Sequence, residues 1–232
     1  MKSFGPDFSA IVIGASGGIG SALTAALAQC STCRLVIGLS RGSSPQIDLE
    51  DEDSVKAAAD HIRQKHHTVD VIIDATGVLS INGQGPEKAL SAIDKETMAK
   101  SFAVNAIGPA LVLKHFVDLL PKDRRGVFAT LSARVGSIGD NKLGGWYSYR
   151  ASKAALNQIV RCAAIEIARK RPEVVCLCLH PGTVPTRLSD PYARSNTHSA
   201  KEAAHRLLDV IDGTKPHQSG TLLAYDGSTI PW

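Results

Sequence analysis

A run of apolar residues, Ala10 to Ile13, passes directly into Gly14-Ala15-Ser16-Gly17-Gly18-Ile19-Gly20 and then into a helix-forming stretch from Ser21 to about Gln29. Glycines at 14, 18 and 20 let the backbone turn tightly, and the start of the helix offers free N–H groups and the positive end of a dipole. Strand, glycine turn and helix in that order make a cradle for a phosphate-like anion. A glycine-rich turn alone is shared with methyltransferases and with purely structural turns. Its place between a strand and a helix is what gives it weight.

The rest of the chain repeats the alternation of apolar strand and amphipathic helix. Strands are predicted at Arg34 to Leu39, Val69 to Asp74, Gly126 to Leu131, Val174 to Leu179 and Gly220 to Tyr225. Helices are predicted over Asp51 to Lys65, Lys95 to Leu120 with an interruption near Gly108-Pro109, Tyr149 to about Arg169, and Ala200 to Ile211. The Val174 strand is apolar without alternation, as a strand buried on both faces should be. The pattern predicts a doubly wound Rossmann-type α/β fold, with a mostly parallel, seven-stranded sheet and helices on both faces, formed by residues 1–232 as a single domain. A length of 232 residues with 44% hydrophobic and 21% charged residues suits such a domain.

The net charge is +4, with basic residues scattered along helices instead of forming a block, so no nucleic-acid partner is expected. No apolar run approaches a membrane span and the first residues lack a signal-peptide core, so no membrane partner and a cytoplasmic location are expected. Five cysteines, an odd number without a disulfide-like framework, agree with a reducing compartment. Cys30 and Cys33 spell C-x-x-C, but they fall between a helix end and the next strand, where a packing role is expected. His61, His66 and His67 lie at an exposed helix end without a carboxylate or cysteine constellation, and no metal site is expected.

The chemistry concentrates in Gly144-Gly145-Trp146-Tyr147-Ser148-Tyr149-Arg150-Ala151-Ser152-Lys153. Tyr149 and Lys153 are four residues apart and share a helix face, so an ammonium stands beside a phenol and is expected to lower its pKa toward the working range of a general acid. Tyr-x-x-x-Lys after a Ser-bearing strand end, in a chain with the glycine loop, resembles the short-chain dehydrogenase/reductase family from Ala10 to about Tyr225. Gly136-Ser137-Ile138 and the Gly144–Arg150 segment look most like its C-factor-like branch of small carbonyl reductases.

That resemblance implies a hydride-transferring oxidoreductase acting on a small, apolar carbonyl or alcohol. Tyr149 would donate the proton, Lys153 would tune it and hold the nicotinamide ribose, and Ser132 would polarise the oxygen. Asn105, within Val104-Asn105-Ala106-Ile107-Gly108, would serve the proton relay. The dinucleotide would contact Gly14, Ser16, Gly17, Gly18, Ile19 and Gly20, then Asp48 and Leu49 at the adenine. Ala75, Thr76 and Gly77 would also touch it, with Tyr149, Lys153, Pro181, Gly182, Val184 and Thr186 at the nicotinamide. Ile47-Asp48-Leu49 would be a short third strand, reached over only seven residues, Ser40 to Gln46, so the usual crossover helix must be missing or reduced to a turn. Arg41 at the end of the second strand, with no acidic residue beside it, favours NADP(H) over NAD(H), because a guanidinium suits a phosphate.

The chain departs from the family at four positions, the first being Ile13 where a threonine commonly precedes the first glycine. Asp74 and Ala75 replace the asparagines of its Asn-Asn-Ala-Gly turn. Its usual serine, three residues before a glycine, is Ala133 here; Ser132 is the favoured substitute and Ser137 the alternative. Trp146, Tyr147, Leu188 and Tyr192 suggest an apolar pocket, with 187–198 as a substrate lid, and the family's habit of pairing subunits implies a homodimer or homotetramer. A dinucleotide-sensing or signalling protein with little turnover is the second reading.

Overall fold

The computed structural model describes residues 1–186, 188–189 and 197–232. Seven strands form one sheet: β1 (Phe8–Ile13), β2 (Cys33–Leu39), β3 (Val71–Asp74), β4 (Gly126–Leu131), β5 (Val174–His180), β6 (Thr221–Ala224) and β7 (Thr229–Ile230). Their order is β2-β1-β3-β4-β5-β6-β7, parallel throughout except for the antiparallel β6–β7 pair. Every residue of β1, β3 and β4 is buried, because helices cover both faces.

Alternation along the strands sorts side chains into two cores. Ile11, Ile13, Cys176 and Cys178 point to one face, where they meet α2 (Glu52–Lys65), α4 (Gly108–Phe116) and α5 (Tyr147–Ala168) through Val55, Ile62, Val112, Phe116, Leu156 and Val160. Ala10, Val12, Val175, Leu177 and Leu179 point to the other, against α1 (Gly18–Ala28) and α6 (Ala200–Gly213) through Leu23, Leu27, Leu207 and Ile211. The two cysteines of β5 are thus packed as small hydrophobes, as their spacing suggests.

The seventh strand is not the one expected. Ile47 to Leu49 forms no strand; the segment is tied down locally, with Ile47 N–H bonded to Ser40 O at 3.0 Å and Asp48 N–H to the Ser54 hydroxyl at 3.0 Å. Without a crossover helix, so short a return cannot lie in register beside β2, and β2 remains the sheet edge. The count is completed by β7 near the C-terminus.

The helical stretch from α3 (Lys95–Phe102) through a five-residue π turn, Ala103–Ile107, into α4 holds one correction to the sequence reading. By length and hydropathy, 95–119 qualifies as a membrane span. Its Ser101, Asn105, Val112, Leu113 and Phe116 are nonetheless built into the protein interior. The break expected at Gly108-Pro109 is this π turn. A Cβ on Gly108 would stand 2.8 Å from Leu49 Cβ, so glycine is what allows the 47–49 segment to pass.

β1 sends the chain outward to β2 and then across to β3, so the strand order reverses at β1. In such sheets the crevice outside the carboxyl ends at the reversal is where ligands bind.

Candidate active site

The glycine loop follows β1 into that crevice. Gly14 has φ +80°, and a Cβ there would lie 3.0–3.1 Å from Thr76 and Ala75; a Cβ on Gly20 would lie 2.1 Å from Gly14 O. The loop therefore closes only with glycine at both positions. Gly17 is the N-cap of α1 and no side chain caps that end, so the first-turn N–H groups of Gly18, Ile19 and Gly20 face the crevice as an anion cradle, with Ser16 at its rim. Gly18 also lies against Thr186, where a Cβ would be 2.7 Å from Thr186 Cγ2. The turn Pro181-Gly182, with Val184 buried behind it, thus brings Thr186 to the glycine loop.

Arg41 is exposed in the turn after β2 and makes no ion pair among the described residues. The hydroxyl of Ser43 ties that turn by accepting Ser40 N–H at 2.8 Å and donating its one proton to Pro45 O, at 2.7 Å, or to Ser40 O, at 2.9 Å. Asp48 is half-buried and Leu49 buried, on the same side of β1.

At the end of β3, Asp74 solves the bracing of a turn that lacks both asparagines. It is fully buried; one carboxylate oxygen accepts Thr76 N–H at 3.0 Å and the Thr76 hydroxyl at 2.6 Å, and the other accepts the Thr130 hydroxyl at 2.9 Å. Burial nevertheless pushes its carboxyl above the ordinary range. Gly77 then approaches Asn105 and Lys153 so closely that a Cβ would stand 3.3 Å from Asn105 Oδ1 and 3.4 Å from Lys153 Nζ. Asn105 clamps the next residue in both directions, accepting Val78 N–H at 2.8 Å and donating to Val78 O at 2.9 Å. Pro109, four residues on, has no N–H for the Asn105 carbonyl, so the α-helical bond to that carbonyl cannot form.

Tyr149 and Lys153 lie on the first turns of α5. The Lys153 ammonium is 6.0 Å from the Tyr149 ring centroid, is buried, and donates to Leu131 O at 2.8 Å. Burial pulls Lys153 down from 10.5 to about 8, against the pull of Asp74, and pushes the Tyr149 phenol up to about 12. The expectation that Lys153 lowers the Tyr149 pKa is corrected in direction: desolvation raises the half-buried phenol, while the ammonium is bonded to Leu131 O. At neutral pH this leaves a protonated phenol beside a charged lysine, the protonation state a proton donor needs.

Ser132 has another partner than the one expected. Its hydroxyl donates to Asn157 Oδ1 at 2.6 Å, and Asn157 Nδ2 in turn reaches Gly136 O at 3.4 Å. A hydroxyl has one proton, so Ser132 could polarise a substrate oxygen only by leaving Asn157. Ser137, 1% exposed, accepts Asp140 N–H at 3.1 Å and follows Gly136, whose Cβ position is 2.8 Å from Lys153 Cβ. Ala133 is half-buried at the expected serine position. The lid positions 187 and 190–196, Tyr192 among them, lie outside the described residues. Among those described, no three His, Cys, Asp or Glu side chains are grouped to hold a metal.

The sequence reading missed Glu87, whose carboxylate is 7% exposed and meets the first turn of α5. It lies in an irregular loop, where no periodicity could single it out.

The sequence profile of the short chain dehydrogenase family matches residues 9–197. The chain belongs to the short-chain dehydrogenase/reductase family. C-signal of Myxococcus xanthus is 39% identical over 168 residues, covering 71% of this chain and 93% of that protein. The 1-hydroxy-2-glutathionyl-2-methyl-3-butene dehydrogenase of a Rhodococcus strain is 29% identical, covering 81% of this chain and 79% of that protein. Among solved structures, the NADPH-bound carbonyl reductase from chicken fatty liver superposes with a TM-score of 0.86 at 23% identity, over 98% of this chain and all of that one. A short-chain dehydrogenase/reductase of Burkholderia multivorans with bound NADP gives 0.83 at 26% identity, with the same coverage. As a member of this family, the protein is an NAD(P)-dependent oxidoreductase of small molecules, and the C-factor-like resemblance is supported by C-signal.

Proposed function

We propose that this protein is an NADPH-dependent carbonyl reductase for small apolar aldehydes or ketones, acting in the cytoplasm. The observation that carries the reading is Tyr149 and a buried Lys153 on one helix face, with Lys153 Nζ against Gly77 in the turn that packs on the glycine loop. The glycine loop, Arg41, Asp48, Leu49, Thr76, Gly77, Lys153 and Thr186 would hold the dinucleotide. When bound, that cofactor supplies the hydride. Tyr149 gives its proton to the carbonyl oxygen, and Lys153, held by Leu131 O, keeps a positive charge beneath the developing oxyanion.

Because the Ser132 proton is engaged, the second donor to the oxygen passes to Ser137 in this reading. Ser137→Ala should lower kcat about 100-fold with unchanged NADPH affinity. Ser132→Ala should instead cost about 1–3 kcal/mol of stability in urea denaturation, because it orphans the buried Asn157 oxygen, while kcat stays within about tenfold. The opposite pattern would return the role to Ser132.

Cofactor choice rests on Arg41. NADPH should bind roughly ten- to a hundredfold more tightly than NADH, and Arg41→Asp should erase or invert the preference by replacing a phosphate partner with a like charge. Equal dissociation constants for the two cofactors in fluorescence titration would overturn it.

The relative named C-signal gives the sensing or signalling reading a specific ground. NADPH oxidation screened against aldehydes, ketones and quinones separates the two, since a sensor would bind NADPH and consume none. Subunit pairing as a homodimer or homotetramer is read out in the same preparation by light scattering.

A further inference from the structure

Helix α5 opens without a cap of its own. Its N-cap, Trp146, is left-handed at φ +54°, and an indole offers no acceptor to first-turn N–H groups. Tyr149 is the third residue of that turn, so whatever fixes the turn also fixes the phenol. The acceptor comes from a loop some sixty residues earlier. Glu87 Oε2 accepts Ser148 N–H at 3.2 Å, its Oε1 accepts the Ser148 hydroxyl in a short bond, and Glu87 O accepts Trp146 N–H at 2.5 Å. Gly145, at φ +64°, passes over the same loop, with its Cβ position 3.5 Å from Glu87 O.

Glu87 and Ser148 are 7% and 3% exposed, and no Lys, Arg or His forms an ion pair with Glu87 among the described residues. A buried carboxylate needs a compensating charge, and here the positive end of the helix supplies it. The contact continues inward: Ser148 O accepts the Ser101 hydroxyl at 3.3 Å, and Ser101 lies 3.2 Å from both Asn105 Nδ2 and Ser152 Oγ. One buried polar chain thus joins the Glu87 loop, the first turn of α5 and the asparagine that clamps Val78.

We propose that Glu87 is a positioning residue for Tyr149, its carboxylate serving as the N-terminal cap of the helix that carries the proton donor. The inference rests on Tyr149 being that donor, but its first readout does not. In Glu87→Ala, amide hydrogen exchange at Ser148 and Tyr149 should quicken at least tenfold, while amides in the middle of α5 keep their protection. Unchanged exchange at those two amides overturns the proposal whatever the protein catalyses.

The second readout is kinetic, with NADPH and 9,10-phenanthrenequinone as probe substrate. Glu87→Ala should lower kcat about ten- to a hundredfold, with the NADPH dissociation constant within about threefold of wild type. Glu87→Gln, which keeps an acceptor for Ser148 N–H, should restore most of kcat. Faster exchange with unaltered kcat would reduce Glu87 to a purely structural cap and overturn the positioning role. A wild-type protein that oxidises no NADPH with any carbonyl would refute the proposed function and leave the exchange result standing. If Glu87→Ala does not fold, Glu87→Asp, which keeps the charge but withdraws the carboxylate by one methylene from Ser148 N–H, carries the same two readouts, and wild-type exchange and kcat in that variant overturn the proposal.

Discussion

Replacing Tyr149 by phenylalanine should reduce carbonyl reduction by 10²–10⁴-fold, the usual worth of a positioned general acid, and leave NADPH binding nearly unchanged. The phenol sits on the first turn of α5, and desolvation pushes it up to about 12, which favours the protonated form a proton donor needs. Phenylalanine keeps the ring and its edge contact with Trp146, whose centroid is 6.3 Å away. Steady-state kinetics beside a fluorescence titration of NADPH make the test. More than about a tenth of wild-type kcat remaining in the variant would remove Tyr149 from the role.

Lys153→Met should damage both functions assigned to the lysine, lowering kcat about 10²-fold or more and weakening NADPH, because an ammonium for the ribose and for the developing charge is lost together. The same variant carries a signature in stability. Unfolded Lys153 holds its proton up to about 10.5, but the folded chain only up to about 8, so between those values the unfolded state binds more protons and folding stability rises with pH. At neutral pH the buried ammonium is therefore a burden of about 3 kcal/mol. Above about pH 9 the buried thiols of Cys176 and Cys178, both pushed up by desolvation, act in the opposite sense, so the difference between wild type and variant is the quantity to follow. Any advantage of Lys153→Met in urea denaturation should shrink by about 2 kcal/mol from pH 7 to pH 10. A difference independent of pH would mean that Lys153 titrates at its ordinary value.

Much of the fold was legible because it rests on short-range rules. The mostly apolar strands β1, β3, β4 and β5 announce a sheet covered on both faces, and the step from Ile13 through Gly20 into α1 announces the crevice. Tyr149 and Lys153 share a face because four residues make about one helical turn. No contact elsewhere in the chain is needed for that conclusion.

The tertiary structure decided whatever depends on partners distant in sequence. Ile47 to Leu49 has the composition of a strand, but the missing crossover leaves it beside the sheet, and Thr229–Ile230 takes the seventh place at the other edge. Ser132 has the right chemistry at a strand end, yet Asn157, twenty-five residues later, takes its proton. Lys153 was expected to tune Tyr149; the ammonium is instead buried against Leu131 O, and desolvation moves the two groups' pKa values apart, which no residue spacing records. Glu87 reaches the start of α5 across sixty-one residues of chain. Periodicity and glycine spacing determine which local shapes the backbone adopts, whereas hydrogen-bond partnership and desolvation depend on which surfaces meet after the chain has closed on itself.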